Sequence, residues 1–377
     1  MRIALVHDYL KEYGGAEVVL ETLSDIFPDA DIFTTIYHPS SFGPHRSRLE
    51  NKWQGRIHQS FFRFIPFAHK LISPLRFISP LAFRSFDFSR YDLVITSATG
   101  AYFPNSLNKK NAKLICYCHT PPRYLYGLTT ARNLDSFFYR LVNIPLQFVL
   151  HFYRLFDFTY AQNVDQYIAN SNTTASRIKK FYRRDSVVIN PPVDLPKASP
   201  LSRGEAAVGR EGFFLTGGRL AFAKRYDIAI KACNRLKLPL KVFGRDFAGF
   251  EAKLKNISGP TVEFLGEISN EQRYQLMSEA KAFIFCSDNE DFGIIPVEAM
   301  SAGCPVIGYK SGGVVETVID GKTGILFDKL TPKSCADAIK NVGALLAKAQ
   351  TKQNCLSQAQ NFSKEKFVTK MRKIIGS

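Results

Sequence analysis

Twelve short apolar runs, separated by helix-length amphipathic segments, set the tightest limit on how this chain can fold. Six precede residue 191: RIALVH (2–7), DIFTTIY (31–37), DLVITS (92–97), KLICYC (113–118), QYIANS (166–171) and VVIN (187–190). Six more follow: FFLTGG (213–218), LKVFG (240–244), VEFLG (262–266), AFIFCS (282–287), PVIGY (305–309) and GILF (324–327). Such runs suit strands covered by helices on both faces, as in parallel sheets. Two sets of six within 377 residues predict an α/β protein of two doubly wound, Rossmann-like domains. The stretch PPVDLPKASPLSRGEAAVGREG (191–212) is rich in Pro, Ser and Gly and has no apolar period, so the boundary is expected there. The chain thus divides into 1–190, 191–355, and a C-terminal helix within 356–377 expected to pack back on the first domain.

Composition narrows the class. A hydrophobic fraction of 45% with 22% charged residues describes a soluble globular protein. The opening MRIALVHDYL carries an apolar run only from Ile3 to Val6 and no cleavage-type pattern after it, so it is read as a buried strand with no export signal. The segment FFYRLVNIPLQFVLHFYRLF (137–156) is broken by Arg140, Asn143, Pro145, Gln147, His151 and Arg154. It falls short of the ~20 clean apolar residues of a membrane span and is read as a buried or surface-lying helix. Seven scattered cysteines favour a reducing compartment, hence a cytoplasmic location. Cys116 and Cys118 are read as core thiols because no second pair stands at metal-ligand spacing.

The net charge of +17 raises nucleic acid or an anionic membrane as a partner. Between 46 and 90 nine Lys and Arg face only Glu50 and Asp87, and Phe61, Phe62, Phe64, Phe67, Phe77, Phe83 and Phe86 are threaded among them. Cations mixed with large apolar side chains suit a lipid surface better than a phosphate backbone. A solvated basic rim over a buried aromatic face is the competing reading. No nucleic-acid partner is expected.

In doubly wound domains ligands gather at the carboxyl ends of strands. After RIALVH comes DYLKEYGGAE, whose Gly14 and Gly15 precede a helix and let backbone N–H groups approach an anion, although an ordinary turn would look the same. KLICYC ends at His119, where Thr-Pro-Pro-Arg stops the strand and leaves the imidazole at its tip. In FFLTGGRLAFAKR (213–225), a Gly-Gly turn is followed by Arg219 and Lys224 just before a helix, a pattern that suits a diphosphate clamp, with a solvated basic loop as the alternative.

The stretch EDFGIIPVEAMSAGCPVIG (290–308) sets Glu290 and Glu298 eight positions apart, about 80° out of phase on one helix, so a single helix cannot present both to one ligand. A loop to Gly293 followed by a helix starting near Ile295, with Pro296 in its first turn and Gly303 at its end, resolves this. Carboxylates accept hydrogen bonds from sugar hydroxyls and repel phosphates. The glutamates are therefore placed on sugars and Arg219 with Lys224 on phosphates, with backbone donors over Phe292, Gly293, Ile294 and Ile295: a nucleotide-sugar site.

Glu-x7-Glu in that stretch, SGGVVETVIDGKTGILF (311–327), GGRLAFAKR (217–225) and GGAE (14–17) together resemble the retaining family 4 glycosyltransferases of GT-B fold, over nearly the whole chain. CHTPPRYLYG (118–127) and ANSNTTASRIKKFYRRDSVVINPPVD (169–194) further resemble a bacterial mannosyltransferase-like subgroup of surface polysaccharide and lipopolysaccharide assembly. The resemblance implies two Rossmann-like domains facing a central cleft. It implies a hexosyltransferase that moves a sugar, mannose favoured, from a nucleotide-diphosphate donor, GDP-mannose favoured, to a lipid-linked (polyprenyl) or oligosaccharide acceptor. Glu298 would hold the donor ribose, Glu290 the transferred sugar, Arg219 and Lys224 the diphosphate, and His119 a hydroxyl of that sugar from across the cleft. Gly14 and Gly15 would face donor phosphate or acceptor, and Gly266 to Ile268 the base. Arg225 stands where the family pattern has Gly after Lys, which leaves open which cation serves.

No cofactor and no metal are expected. The only Asp-x-Asp triplet, Asp29-Ala30-Asp31, leads into a strand, so the leaving group's charge would fall to Arg219, Lys224 and a helix N-terminus. Retention would follow from same-face attack, with the donor phosphate accepting the acceptor's proton. A lipid-linked acceptor would bring the first domain to the inner face of the cytoplasmic membrane. A sugar-nucleotide epimerase of the same plan and a non-catalytic nucleotide-sugar binder are the alternatives.

Overall fold

The computed structural model describes residues 1–130, 137–196 and 212–376, with side chains throughout except over 137–145. The linker expected over 191–212 lies for the most part outside the described residues.

The first unit is built on a seven-stranded parallel sheet. Its strands are β1 Ile3–His7, β2 Asp31–Thr34, β3 Ile57–Gln59, β4 Leu93–Ala98, β5 Lys113–Cys118, β6 Gln166–Ala169 and β7 Ser186–Val188, in the order β3-β2-β1-β4-β5-β6-β7. The second unit holds β8 Phe214–Gly217, β9 Leu240–Phe243, β10 Val262–Gly266, β11 Phe283–Phe285, β12 Val306–Tyr309 and β13 Gly324–Phe327, in the order β10-β9-β8-β11-β12-β13. Every pairing is parallel. Each order reverses direction once, between β1 and β4 and between β8 and β11, and the carboxyl ends at such a reversal open a crevice for ligands.

Twelve strands were expected, and the described residues form thirteen. The additional one, β3, lies within the basic Phe-rich segment and pairs Ile57–Gln59 with Ile32–Thr34 at the sheet edge. Its sequence, IHQ, has one apolar residue and no period, so only the neighbouring strand defines it. Asp31, the second member of Asp-x-Asp, opens β2 and accepts hydrogen bonds from Tyr91 Oη (2.5 Å) and His58 Nε2 (2.9 Å). All seven cysteines are buried and none forms a disulfide.

The first unit comprises Met1–Leu128, Phe137–Pro192 and the chain from Phe367, and the second includes Val193–Lys366. The last helix, Lys364–Ile375, buries Phe367 and Met371 in the cluster formed by Leu5, Ile95, Ile115 and Tyr117, with the Phe367 and Tyr117 rings edge to face at 5.8 Å. Truncating a fully buried Phe costs about 3–5 kcal/mol, whereas exposed positions change stability by about 0.5 kcal/mol or less. We expect Phe367→Ala to lower the unfolding free energy measured in urea by that larger amount and Lys370→Ala, on the exposed face, to change it only within the smaller one.

Candidate functional site

In the first unit, register brings three strand ends together: His7 of β1 lies opposite Ser97 of β4, which lies opposite Tyr117 of β5. Ser97 Oγ is 2.9 Å from His119 Nε2 and 3.1 Å from His7 Nδ1. His7 Nε2 is 3.5 Å from Glu17 Oε1, and Glu17 Oε2 accepts the Gly14 N–H at 2.9 Å. A polar chain thus runs from the start of the helix Gly15–Ile26 to His119, with His7, Ser97 and Glu17 buried. Gly14 and Gly15 are exposed, as an anion-binding turn requires, but the Gly14 N–H expected to meet a phosphate already serves Glu17. A carboxylate in the first turn interacts favourably with the helix dipole, which accounts for that placement.

Asp8 follows β1 and is buried. Its Oδ2 accepts from the Thr99 hydroxyl (2.5 Å) and from the Tyr102 and Ala101 amides (3.1 and 3.2 Å), fastening the β1 end to the loop after β4. Gly100 in that loop has φ +75°, and a Cβ there would stand 2.6 Å from the Thr120 carbonyl oxygen, so glycine lets the loop pass the turn after His119. Burial, and after it the neighbouring His7, push the His119 pKa down to about 3. His119 is therefore a neutral imidazole at neutral pH.

In the second unit the reversal between β8 and β11 sets two loops side by side. The first runs from Gly217 through Arg219 to Lys224, and the second from Ser287 to Gly293. Asp288 N–H donates to the Ala223 carbonyl at 3.0 Å. Lys224 Nζ meets Glu290 Oε2 at 2.5 Å, and the Ser287 hydroxyl donates to the same oxygen at 2.5 Å. Lys224 and Glu290 thus form one contact instead of the two separate poles, phosphate and sugar, expected from the sequence. Their side chains are only 23% and 18% exposed, and partly desolvated opposite charges offset their cost by pairing.

Arg219 extends over the Phe247 ring at 5.3 Å. Arg225 is the N-cap of the helix Tyr226–Leu236 at φ +51°, the left-handed region in which the family pattern's glycine would sit without strain. Its guanidinium pairs with both oxygens of Asp227, at 3.0 and 3.1 Å. Lys224, not Arg225, is therefore the cation beside Glu290. The Tyr226 phenol, raised in pKa first by burial and then by Glu290, donates to the Arg219 carbonyl at 3.4 Å.

Glycines fix the loop behind Glu290. A Cβ on Gly312 would lie 2.1 Å from the Glu290 carbonyl oxygen, and one on Gly313 2.4 Å from Phe292 Cα. The Gly313 N–H donates to the Glu290 carbonyl at 2.8 Å. Phe292 turns into the core against Phe362, and Gly293, at φ +86°, opens the helix Ile294–Ser301 without a side-chain cap. Ile295 reaches back toward Gly218, where a Cβ would stand 2.6 Å from its Cδ1.

Glu298, inside that helix, is buried. One oxygen accepts from Arg273 Nη2 at 2.9 Å, and Oε2 has no hydrogen-bond partner among the described residues. Burial raises its pKa against the opposing effect of Arg273. Gly266 ends β10 at φ +68°, its carbonyl accepting from Gly244 N–H at 2.7 Å, and the Ile268 side chain packs on the core.

Sequence reasoning did not single out His7, Ser97, Glu17, Asp8, Ser287 or Arg273. The first two lie at the carboxyl ends of recognised strands, so the rule that flagged His119 could have found them. Arg273 lies on the helix Asn270–Glu279, where nothing marks it locally.

Residues 201–361 match the model described as Glycosyl transferases group 1, and residues 13–197 match the model described as Glycosyltransferase Family 4. The chain is 26% identical over 308 residues to the α-1,3/1,6-mannosyltransferase ALG2 of Dictyostelium discoideum, covering 68% of each chain. It is 25% identical over 320 residues to ALG2 of Homo sapiens, covering 74% of each. Among solved structures, Anabaena Alr3699/HepE in complex with UDP superimposes with a TM-score of 0.70 at 19% identity over the whole of both chains.

Because the folded His119 pKa lies below its ordinary 6.5, the unfolded chain binds the extra proton first as pH falls. The stability tied to neutral His119 is present above pH 6.5 and lost on the way to about pH 3. Urea midpoints measured across that window should fall less steeply for His119→Asn than for the wild type, and parallel curves would contradict a lowered His119 pKa in the folded chain.

Proposed function

The chain belongs to glycosyltransferase family 4 and is a glycosyltransferase, and on that footing we propose that it transfers a hexosyl group with retention of configuration. The donor is a nucleoside-diphosphate sugar, with GDP-mannose favoured. The acceptor is a lipid-linked or oligosaccharide glycan of surface polysaccharide assembly. The reaction is assigned to the cytoplasm. A mannosyl group is supported by relatives named as mannosyltransferases, and the nucleoside-diphosphate class by Anabaena HepE, solved with UDP and with UDP-glucose.

The observation that carries this reading is the Lys224–Glu290–Ser287 contact, close to the uncapped start of the helix Ile294–Ser301. Lys224, Arg219 and the first N–H groups of that helix would take up the charge that grows on the leaving diphosphate, where preorganised donors are most effective. Glu290 would hold Lys224 in place and accept from hydroxyls of the transferred sugar. The buried Oε2 of Glu298 would accept from the ribose, and the backbone around Gly266 and Ile268 would face the base. His119, neutral and fixed through Ser97, would bind a sugar hydroxyl. Gly14 and Gly15 would approach the acceptor or a phosphate. No protein nucleophile is required: the acceptor hydroxyl attacks from the face the leaving group departs and passes its proton to the donor phosphate.

A thermal-shift panel tests the donor, since a ligand bound by the folded state alone raises the midpoint by mass action. GDP-mannose should give the largest rise, and a panel in which no nucleoside diphosphate moves the midpoint would remove the donor site. For the clamp, Lys224→Ala should lower kcat about 10²- to 10³-fold, by analogy with loss of one oxyanion donor. A kcat within about threefold of wild type would take Lys224 out of the mechanism.

A further inference from the structure

Over residues 146–160 the helix Phe137–Gln162 carries two adjoining apolar stripes. One packs inward: Leu150 and Tyr160 join Phe103 and Leu125 in a buried cluster, with Leu146 and Tyr153 against it. The other carries Phe148, Val149, Phe152, Leu155 and Phe156, exposed by 67%, 45%, 44%, 51% and 49%. At ~100° per residue these five fall within an arc of about 120° immediately beside the inward-packing stripe, while Gln147, His151 and Arg154 occupy the remaining side of the helix. On the surface helix of a soluble protein the apolar stripe normally matches the core it covers, and a contiguous apolar arc left exposed beside it marks an interaction surface.

A second exposed apolar group adjoins it in the same unit. The segment 61–81 presents Phe64 (72%), Phe67 (68%) and Leu81 (60%), and is tied to the helix where the Tyr153 hydroxyl donates to the Phe77 carbonyl at 3.0 Å and the two rings meet edge to face at 4.8 Å. Cations stand among these side chains: Arg63 lies 4.6 Å over the Phe64 ring and Lys70 5.3 Å over the Phe67 ring. No Asp or Glu occurs from 51 to 86 or from 136 to 156, whereas Lys52, Arg56, Arg63, Lys70, Arg76 and Arg84 fall in the first of these ranges.

We propose that this face is a docking surface for an anionic lipid bilayer, with the outer stripe of the 146–156 helix lying in the headgroup–acyl boundary and the basic Phe-rich segment beside it. Two properties on one surface select the occupant. Large apolar side chains supply burial in the acyl region, and Arg63 and Lys70 beside the exposed Phe64 and Phe67 rings supply attraction to anionic headgroups, whereas Lys52 is already paired with Glu21 and Asp25. Among the described residues no helix is long and apolar enough to cross a membrane, so the helix lies along the surface. The proposal stands independently of the donor assignment, because none of these residues belongs to the candidate site.

The test uses the full chain with vesicles of phosphatidylcholine containing about 30% phosphatidylglycerol, and with phosphatidylcholine alone, at low salt. The chain should float with the anionic vesicles and be released as salt rises. Phe152→Glu/Phe156→Glu should weaken partitioning roughly tenfold or more, and Phe64→Glu/Phe67→Glu likewise. Both pairs are exposed, so the thermal midpoint should be retained. Phe152→Trp should show a blue-shifted emission on adding anionic vesicles. Failure of the wild type to float, flotation of both double variants at the wild-type level, or an unshifted emission would each overturn the proposal. So would a wild-type dimer in sedimentation that the double variants convert to monomer while vesicle binding is unchanged, which would assign the face to a second copy of the chain.

Discussion

Two stretches of backbone pass so close together behind Glu290 that only glycine fits between them, and the second unit's charged groups take their positions from that approach. With Gly312 and Gly313 pressed on the Glu290–Phe292 backbone, the Glu290 carbonyl is held by an amide and its side chain can turn only outward, to Lys224 and Ser287. Phe292 is driven into the core and Gly293 into a left-handed turn, which starts the next helix with its N-terminus toward the same place. A side chain at either glycine would displace the carboxylate before it altered any charge.

The charges gathered there are poised and not fully satisfied. Lys224 is balanced by Glu290, so removing either leaves the other partly buried and unpaired, a costlier outcome than losing an exposed pair. Among the described residues Glu298 has a hydrogen-bond partner on one oxygen only, and its raised pKa reflects burial that Arg273 does not fully offset. In the first unit the chemistry is of another kind: a neutral imidazole, positioned through Ser97 and His7, offers hydrogen bonding without charge. The proposed transfer of a sugar from a diphosphate to a neutral hydroxyl, with charge growing on the phosphate, calls for both sorts of group.

Much of this was legible in the sequence because parallel strands leave long apolar runs and because strand ends in doubly wound sheets concentrate function. The twelve runs became twelve strands, and the helix after the Phe-Gly turn begins at Ile294, one residue from its expected start. What escaped was set by tertiary contact. The strand Ile57–Gln59 exists only through pairing with β2, and Arg273 reaches Glu298 from a different helix. The pairing of Lys224 with Glu290 is likewise invisible to a pattern that treats cations and carboxylates as separate ligand contacts. Arg225 shows the converse, since a departure from the expected glycine is tolerated where Asp227 holds the left-handed residue on both its oxygens. Exposure, too, is a property of the fold: the sequence of 137–156 leaves a buried and a surface-lying helix both open, and only the packing shows which side is covered.

The central claim is that Lys224 and Glu290 act as one unit in sugar transfer, and a double-mutant cycle in single-turnover rate tests it most directly. Lys224→Met, Glu290→Gln and the double variant would be compared with wild type at saturating donor. Residues acting as a unit should give losses that are far from additive, with a coupling energy of about 1–3 kcal/mol. Losses that add to within about 0.3–0.5 kcal/mol would show the two side chains working independently and contradict the account.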